Sequence, residues 1–141
     1  MPTTRRAEQH LKAAGQRMTA SRRAVIQAVS RLTCAYSAEE IHRLGRRLYP
    51  RLGLVTVYRT LELLVRQGLA RRVDLPGPTR YEPTEEGRHH HHLVCLSCGS
   101  IEPLRRCLIE PVEGATLGRR FRVTGHRLEL FGYCRQCAAP A

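Results

Sequence analysis

The chain has 141 residues, and its 24 Lys and Arg against 12 Asp and Glu give a formal net charge of +12. This length allows one domain or two small ones. No apolar run is long enough to span a bilayer, so we expect no membrane partner.

The charge is distributed unevenly. Residues 1–72 hold 15 basic and 4 acidic residues, a net of +11, whereas residues 73–141 hold 9 and 8, a net of +1. A basic half joined to a near-neutral half favours a module that binds a polyanion. A membrane surface would also attract this charge, but no basic amphipathic helix with exposed large apolar residues accompanies it. Nucleic acid is therefore the favoured partner.

Four helices are predicted in the first half of the chain. After a short first helix, Thr19 or Ser21 begins a second one with apolar residues at helical spacing. Ser37 and Glu40 form the Ser-x-x-Glu pattern of a capping box for the third helix. The fourth helix is predicted over 54–67, with one apolar face.

Two short strands around Pro76–Pro78 follow the fourth helix and predict a β-hairpin. Helices followed by a hairpin form a winged helix-turn-helix, whose recognition helix presents its N-terminal residues to the major groove. Arg59 could make a bidentate contact to guanine, and Tyr58 could pack on a thymine methyl or bond a phosphate. Thr56 and Thr60 are expected on the flank. The alternative is a solvated helix face without a DNA contact.

Two Cys-x-x-Cys pairs mark the second half of the chain. This spacing is typical of a tetrathiolate zinc site, to which each pair contributes two sulfurs. A disulfide framework is the alternative, but the charged N-terminus lacks an apolar signal segment, and we expect a cytoplasmic protein. The four cysteines are Cys95, Cys98, Cys134 and Cys137.

Four histidines run directly into the first cysteine pair. On a strand, His90 and His92 point to one face, while His89 and His91 point to the other. One stretch could therefore supply two further metal sites on opposite sides of a sheet. The alternatives are an expression tag, which is disfavoured because the run is internal, and a solvated polar tract.

The remaining pattern predicts an α+β protein with two parts. In the second half, strands are expected over 89–96, 100–104 and 121–132, and a helix over 106–118, although Pro111 and Gly114 weaken it. The predicted organisation is a winged-helix domain over 1–83, a hinge over 84–88 and a metal-binding domain over 89–141.

The ordered set of motifs resembles the ferric uptake regulator (Fur) family of bacterial metalloregulators over nearly the whole chain. Its most specific parts are Thr-Val-Tyr-Arg-Thr-Leu at 56–61 and the histidine run with its Cys-x-x-Cys-Gly. Others are Arg17-Met18-Thr19, Ser-Ala-Glu-Glu-Ile at 37–41, Arg-Tyr-Glu at 80–82 and His-Arg-Leu-Glu-Leu-Phe-Gly at 126–132.

The resemblance implies a homodimer with N-terminal winged-helix domains and C-terminal α/β dimerisation domains. Such a protein binds a palindromic operator in double-stranded DNA when loaded with metal, and it represses transcription of metal-homeostasis genes. The DNA-binding residues implied by the motifs are Arg17, Thr56, Tyr58 and Arg59.

The resemblance also implies three metal sites. The four cysteines would hold structural Zn²⁺, and a regulatory site between the domains would take Fe²⁺, Mn²⁺ or Zn²⁺. The regulatory ligands are Glu82, His90 and His92, with Cys34 and Glu102 as further candidates. The third site, in the dimerisation domain, takes His89, His91, Glu110 and His126.

One position departs from the family pattern. The iron-sensing branch places a histidine just before the Ser-Ala-Glu motif, where this chain has Ala35, preceded by Cys34. Cys34 could donate a thiolate, which would favour zinc, or it could be a small buried hydrophobe. Cys107 matches no motif, and we expect it to serve packing.

Other classes of protein fit the motifs less well. An enzyme is not expected, because the chain lacks the HExxH motif and the zinc deaminase pattern. A peroxide-sensing regulator of the same family would place Asp among the interdomain ligands, where this chain has His and Glu. A zinc-ribbon nucleic-acid-binding module without a sensing role is the remaining alternative. The sequence decides neither the sensed metal nor the operator.

Overall fold

A computed structural model of the chain describes residues 4–84, 90–109, 116–117 (backbone only) and 120–138. The chain divides into two compact units, Met1–Gly87 and Arg88–Ala141. Both helix and sheet are present, which confirms the predicted α+β class. Within the described residues, no helix is long and apolar enough to cross a membrane.

The first unit begins with helices whose ends follow from local sequence. Thr19 caps the second helix, since its hydroxyl accepts a hydrogen bond from the Arg22 backbone N–H at 3.2 Å. Ser37 caps the third, and the predicted capping box is confirmed, with Glu40 Oε2 accepting from the Ser37 N–H at 2.7 Å. The four helices are α1 (Thr4–Ala13), α2 (Ala20–Ser30), α3 (Ala38–Leu48) and α4 (Leu54–Arg66).

A three-stranded antiparallel sheet completes this unit. Its strands are β1 (Tyr36–Ser37), β2 (Ala70–Val73) and β3 (Arg80–Pro83), in the order β1-β3-β2. The predicted hairpin is β2–β3, which confirms the winged helix. Strand β1 was not predicted, because it has two residues, the second of which is the cap of α3, and two residues give no alternating pattern.

The buried apolar cluster of this unit lies between the helices and the hairpin. It includes Leu11, Ile26, Ile41, Leu61 and Leu64, all fully buried. The predicted apolar face of α4 is confirmed, but the flank position of Thr60 is wrong. Thr60 is buried, and its hydroxyl donates to the Thr56 carbonyl at 2.7 Å, so this core position accommodates a polar group.

The second unit is built on short strands. They are β4 (His91–Cys95), β5 (Ile101–Leu104), β6 (Thr116–Leu117), β7 (Phe121–Arg122) and β8 (Glu129–Gly132). One sheet has the order β5-β4-β8, with β4 antiparallel to β5 and parallel to β8. Strands β6 and β7 form a separate antiparallel ribbon.

Two expectations for this unit are corrected. Within the predicted helix over 106–118, the described residues 106–109 are not helical and residues 116–117 form β6; Pro111 and Gly114 lie outside the described residues. The strand predicted over 121–132 is two strands, β7 and β8, separated by residues 123–128. Both errors came from weak periodicity in a stretch interrupted by glycine and proline.

Candidate metal centres and DNA-binding face

Four thiols converge at the end of the larger sheet in the second unit. Cys95 ends β4, and its parallel partner in β8 is Gly132, two residues before Cys134. Gly99 takes a positive φ of 69° and donates its N–H to the Cys95 carbonyl, which closes the first Cys-x-x-Cys turn. The Sγ atoms of Cys95, Cys98, Cys134 and Cys137 all lie within 4.8 Å of one another.

The spacing of these thiols fits a tetrahedral zinc ion. Cys98 Sγ lies 3.8 Å from Cys134 Sγ. Two sulfurs bound at about 2.3 Å and a tetrahedral angle are separated by about 3.8 Å. The structure therefore brings together the predicted tetrathiolate with the required separation between its two pairs.

The electrostatics of the cluster also fit a cation. Backbone N–H groups of Cys98 and Cys134 lower the pKa of Cys95 to about 6. The Ser97 hydroxyl lowers the pKa of Cys137, but the neighbouring sulfurs of Cys134 and Cys98 outweigh it and raise that pKa to about 11. Four adjacent thiols cannot all ionise alone, because each thiolate opposes the next. A divalent cation removes this opposition.

A second cluster lies elsewhere in the same unit. His91, buried in β4, has its ring centroid 5.1 Å from that of His126, in the segment before β8. Cys107, after β5, places its Sγ 3.1 Å from His126 Nε2. The three ligand atoms lie within 4.8 Å of one another. The structure thus joins two of the four ligands expected for the third site, whereas His89 and Glu110 lie outside the described residues.

The sequence did not identify Cys107 as a candidate metal ligand. No motif surrounds it, and its neighbour His126 is 19 residues away along the chain. The feature that relates Cys107 to His91 is its position three residues after Leu104, because Leu104 on β5 pairs with His91 on β4. Only the strand register, which the sequence does not give, could have revealed that relation.

His90 and His92 lie close together in the second unit. Their ring centroids are 5.0 Å apart at an interplanar angle of 73°, so they share a face, as the strand alternation predicted. His92 is buried and His90 is half-buried. Glu102, a further candidate ligand, is exposed on β5 and lies outside the two clusters of this unit.

The other candidate regulatory ligands belong to the first unit. Glu82 is fully buried on β3, and its Oε1 lies 2.5 Å from the Arg71 guanidinium. Arg71 therefore compensates the charge of a carboxylate that burial would otherwise penalise. Cys34 is buried in the loop between α2 and β1.

The predicted DNA-binding residues of α4 differ in their contacts. Arg59 is exposed and Thr56 is half-buried. Tyr58, 40% exposed, donates its hydroxyl to Glu39 Oε1 at 2.7 Å. This bond raises the pKa of Tyr58 and lowers that of Glu39. The phenol is therefore anchored to α3 through its hydroxyl. Arg17 is exposed before α2.

Polar contacts also hold the recognition helix against the wing. Arg72 on β2 donates from Nη2 to both carboxylate oxygens of Glu62 on α4, each at 2.6 Å. The hydroxyl of Tyr81 on β3 lies 3.4 Å from Glu62 Oε1. The Arg72 guanidinium lowers the pKa of Glu62. These contacts fix the orientation of α4 relative to the hairpin.

Comparisons with known proteins agree with this architecture. The model of the Ferric uptake regulator family matches residues 13–131. The ferric uptake regulation protein of Bacillus subtilis (strain 168) is 39% identical over 106 residues, which cover 72% of this chain and 70% of that protein. The structure of the Helicobacter pylori ferric uptake regulator, reported to have three functional metal-binding sites, matches with a TM-score of 0.73 and 25% identity, covering 94% of this chain and 89% of that one. A zinc-bound manganese uptake regulator matches with a TM-score of 0.71 and 31% identity, covering 90% and 97%.

Proposed function

This chain belongs to the ferric uptake regulator family, and we propose that it is a metal-dependent transcriptional repressor of metal-homeostasis genes. It acts in the cytoplasm as a homodimer on a palindromic operator in double-stranded DNA. The observation that carries this proposal is the joining, in one chain, of a winged-helix unit with two ligand clusters whose donor atoms lie within 4.8 Å.

The exposed apolar side chains of the second unit support the homodimer. Leu96, Phe121, Phe131 and Tyr133 are each at least half exposed. Large apolar side chains exposed on a small unit are typical of a protein–protein interface. A second copy of this unit would cover them and would present two recognition helices to two half-sites of one operator.

The four-thiol cluster is proposed as the structural zinc site. Its donor set is entirely sulfur, which suits Zn²⁺ and leaves no open position for substrate. When bound, the ion supplies a fixed crosslink among four thiolates. Cys95, the last residue of β4, and Cys98, in the turn after it, hold one side, while Cys134 and Cys137 hold the other after β8.

The proposed regulatory ligands are Glu82, His90 and His92, with Cys34 in place of the missing histidine. Imidazole and carboxylate suit Fe²⁺ and Mn²⁺ as well as Zn²⁺, whereas a Cys34 thiolate would favour Zn²⁺. Arg71 forms an ion pair with Glu82, and Glu82 must exchange that partner to act as a ligand. Ligands drawn from both sides of the hinge would couple metal binding to domain arrangement, and so to operator affinity.

Arg59 is proposed to read the operator from the first turns of α4. Arg59→Ala is expected to lower specific affinity by about 5–150-fold, equivalent to about 1–3 kcal/mol for a bidentate contact to guanine. Arg66→Ala, an exposed arginine in the last turn of the same helix, is the matched control. Equal losses for both variants, on operator and on random DNA alike, would reduce Arg59 to a phosphate contact.

The proposal is tested by operator binding under controlled free metal. Protein that retains structural zinc selects its operator from a palindromic DNA pool, and Zn²⁺, Mn²⁺ and Fe²⁺ are then titrated without oxygen at fixed salt. We expect one ion to tighten binding at the lowest free concentration, and His90→Ala with His92→Ala to remove the response. His10→Ala, on α1, should leave it unchanged. Affinity that ignores all three ions would refute metal sensing.

A further inference from the structure

We propose that Cys107 is a metal ligand, which together with His91 and His126 forms a thiolate-containing site in the second unit. This site takes a borderline-soft divalent cation such as Zn²⁺ in preference to Mn²⁺. The inference rests on the proposed metal-dependent function, and it specifies the metal class of one site. None of the motifs that carry the family resemblance includes Cys107.

Three separate segments bring these ligands together. His91 begins β4 and pairs with Leu104 at the end of β5, and Cys107 follows three residues later. His126 lies three residues before β8, whose Glu129 pairs with His92. His91 therefore lies on the central strand β4, while the two strands that pair with β4 place Cys107 and His126 beside it.

The distances fit a metal site after a small adjustment. A tetrahedral zinc ion bound by one sulfur at about 2.3 Å and one nitrogen at about 2.05 Å separates them by about 3.6 Å. Cys107 Sγ and His126 Nε2 are 3.1 Å apart, and the three ligand atoms lie within 4.8 Å. An outward shift of about half an ångström accommodates the ion, and Cys107 lies in a loop segment where this is easy.

Coordination would replace the present hydrogen bonds of the thiol. Cys107 donates to the Ile109 carbonyl at 3.1 Å as well as contacting His126. On binding, the S–H bond breaks, its proton leaves to the buffer, and Sγ forms a bond to the cation. Both imidazoles bind neutral, so the site with Zn²⁺ carries a net charge of +1 before a fourth ligand is added.

The thiolate decides which cation is favoured. Soft sulfur ligands favour Zn²⁺, while carboxylate and water suit Mn²⁺. A site with Cys107 should therefore discriminate more strongly against Mn²⁺ than one completed by Glu110 and His89 alone. The competing explanation is a hydrogen-bonded Cys–His pair that binds no metal.

Cobalt titration separates these explanations. Full-length protein with one structural zinc per chain is titrated with Co²⁺ without oxygen, and the thiolate-to-Co²⁺ charge-transfer absorption is recorded. We expect Cys107→Ser to lose one thiolate's share of this band and to bind Zn²⁺ at least ~10–100-fold more weakly, the loss typical even of an outer ligand partner. Because Cys34 is itself a proposed thiolate ligand, the comparison is repeated in a Cys34→Ser background, where the Cys107 band should remain. Leu108→Ala, at an exposed neighbouring position that is not a proposed ligand, is the matched control and should leave the band and the Zn²⁺ affinity unchanged.

A second variant keeps the test informative if Cys107→Ser folds poorly. His126→Gln retains the thiol, and it should weaken Co²⁺ binding while the thiolate band remains at saturation. The inference would be overturned if Cys107→Ser kept both the thiolate-to-Co²⁺ absorption band and the Zn²⁺ affinity of the unsubstituted protein. It would also be overturned if Co²⁺ added no thiolate band to the unsubstituted protein. Metal-dependent operator binding, measured on the same preparations, reports on the proposed function independently, so the two failures are distinguishable.

Discussion

Removing one ligand of the four-thiol cluster should unfold the second unit and leave the first intact. The perturbation is Cys134→Ser, which takes away the sulfur that lies 3.8 Å from Cys98 Sγ. The reason is that the described residues of the second unit contain few buried apolar side chains. Among those residues, the buried apolar side chains are those of Val94 and Cys95, each 5% exposed, whereas the buried apolar cluster lies in the first unit.

The free energies of zinc binding and of side-chain burial indicate that the metal contributes more to the stability of the second unit than its buried apolar side chains do. Burying a valine side chain contributes about 1.5–3 kcal/mol. A structural zinc site contributes about 10–16 kcal/mol of apparent folding free energy. Losing one of four ligands would remove on the order of a quarter of that, about 3 kcal/mol, which matches or exceeds the contribution of Val94. The sheet β5-β4-β8 should therefore not persist without the zinc site.

Hydrogen exchange measured by mass spectrometry resolves the two units. In Cys134→Ser, amides of β4, β5 and β8 should lose protection, while those of α2, α3 and α4 keep it. Gln136→Ser is the matched control, because it places serine at an exposed position between Cys134 and Cys137 and removes no thiol. Persistent protection of β4 in Cys134→Ser, with zinc absent, would refute the reasoning. Loss of protection in α4 would show that the first unit depends on the metal too.

Three further predictions concern the winged-helix unit. Leu61→Ala, at a fully buried position, should lower the free energy of unfolding by about 2–5 kcal/mol, whereas Val55→Ala, 63% exposed, should change it by less than about 0.5 kcal/mol. Ser37→Ala removes the cap of α3 and should cost about 1 kcal/mol in urea unfolding. The Arg72 guanidinium lowers the pKa of Glu62 below its usual 4.5, so this pair stabilises the fold above that pH, and its contribution is lost as the pH falls through the folded-state pKa. Glu62→Gln should therefore reduce the loss of stability between about pH 7 and about pH 3.

Each of these three predictions would be contradicted by a specific result. Similar costs for Leu61→Ala and Val55→Ala would mean that burial does not decide stability here. An unchanged urea midpoint for Ser37→Ala would show that the Glu40 side chain caps α3 without its partner. A pH dependence identical in Glu62→Gln and the unsubstituted chain would remove Glu62 from the acid response.

Local signals in the sequence predicted the first unit well. The Ser37–Glu40 capping box is decided within four residues, so its spacing alone fixed the start of α3. The apolar face of α4 and the Pro-Gly turn of the hairpin are equally local. Strand β1 and the buried Thr60 depend on packing against β3 and the core, which periodicity does not encode.

In the second unit, the sequence predicted one metal cluster and missed a candidate ligand of the other. The Cys-x-x-Cys spacings predicted the four-thiol cluster, because each pair closes its own turn. Cys107 could not be assigned, since its approach to His126 depends on the register of β4 with both β5 and β8. The helix wrongly predicted over 106–118 also placed Cys107 on a helix, whereas the structure has it in a loop.

The central claim, that metal binding controls operator binding, is tested most directly by measuring metal affinity with and without operator DNA. Thermodynamic linkage requires that the factor by which metal tightens DNA binding equal the factor by which DNA tightens metal binding. We predict equal factors in the unsubstituted protein and a factor of one when His90 and His92 are both replaced by alanine. A metal affinity that DNA leaves unchanged in the unsubstituted protein would contradict the account.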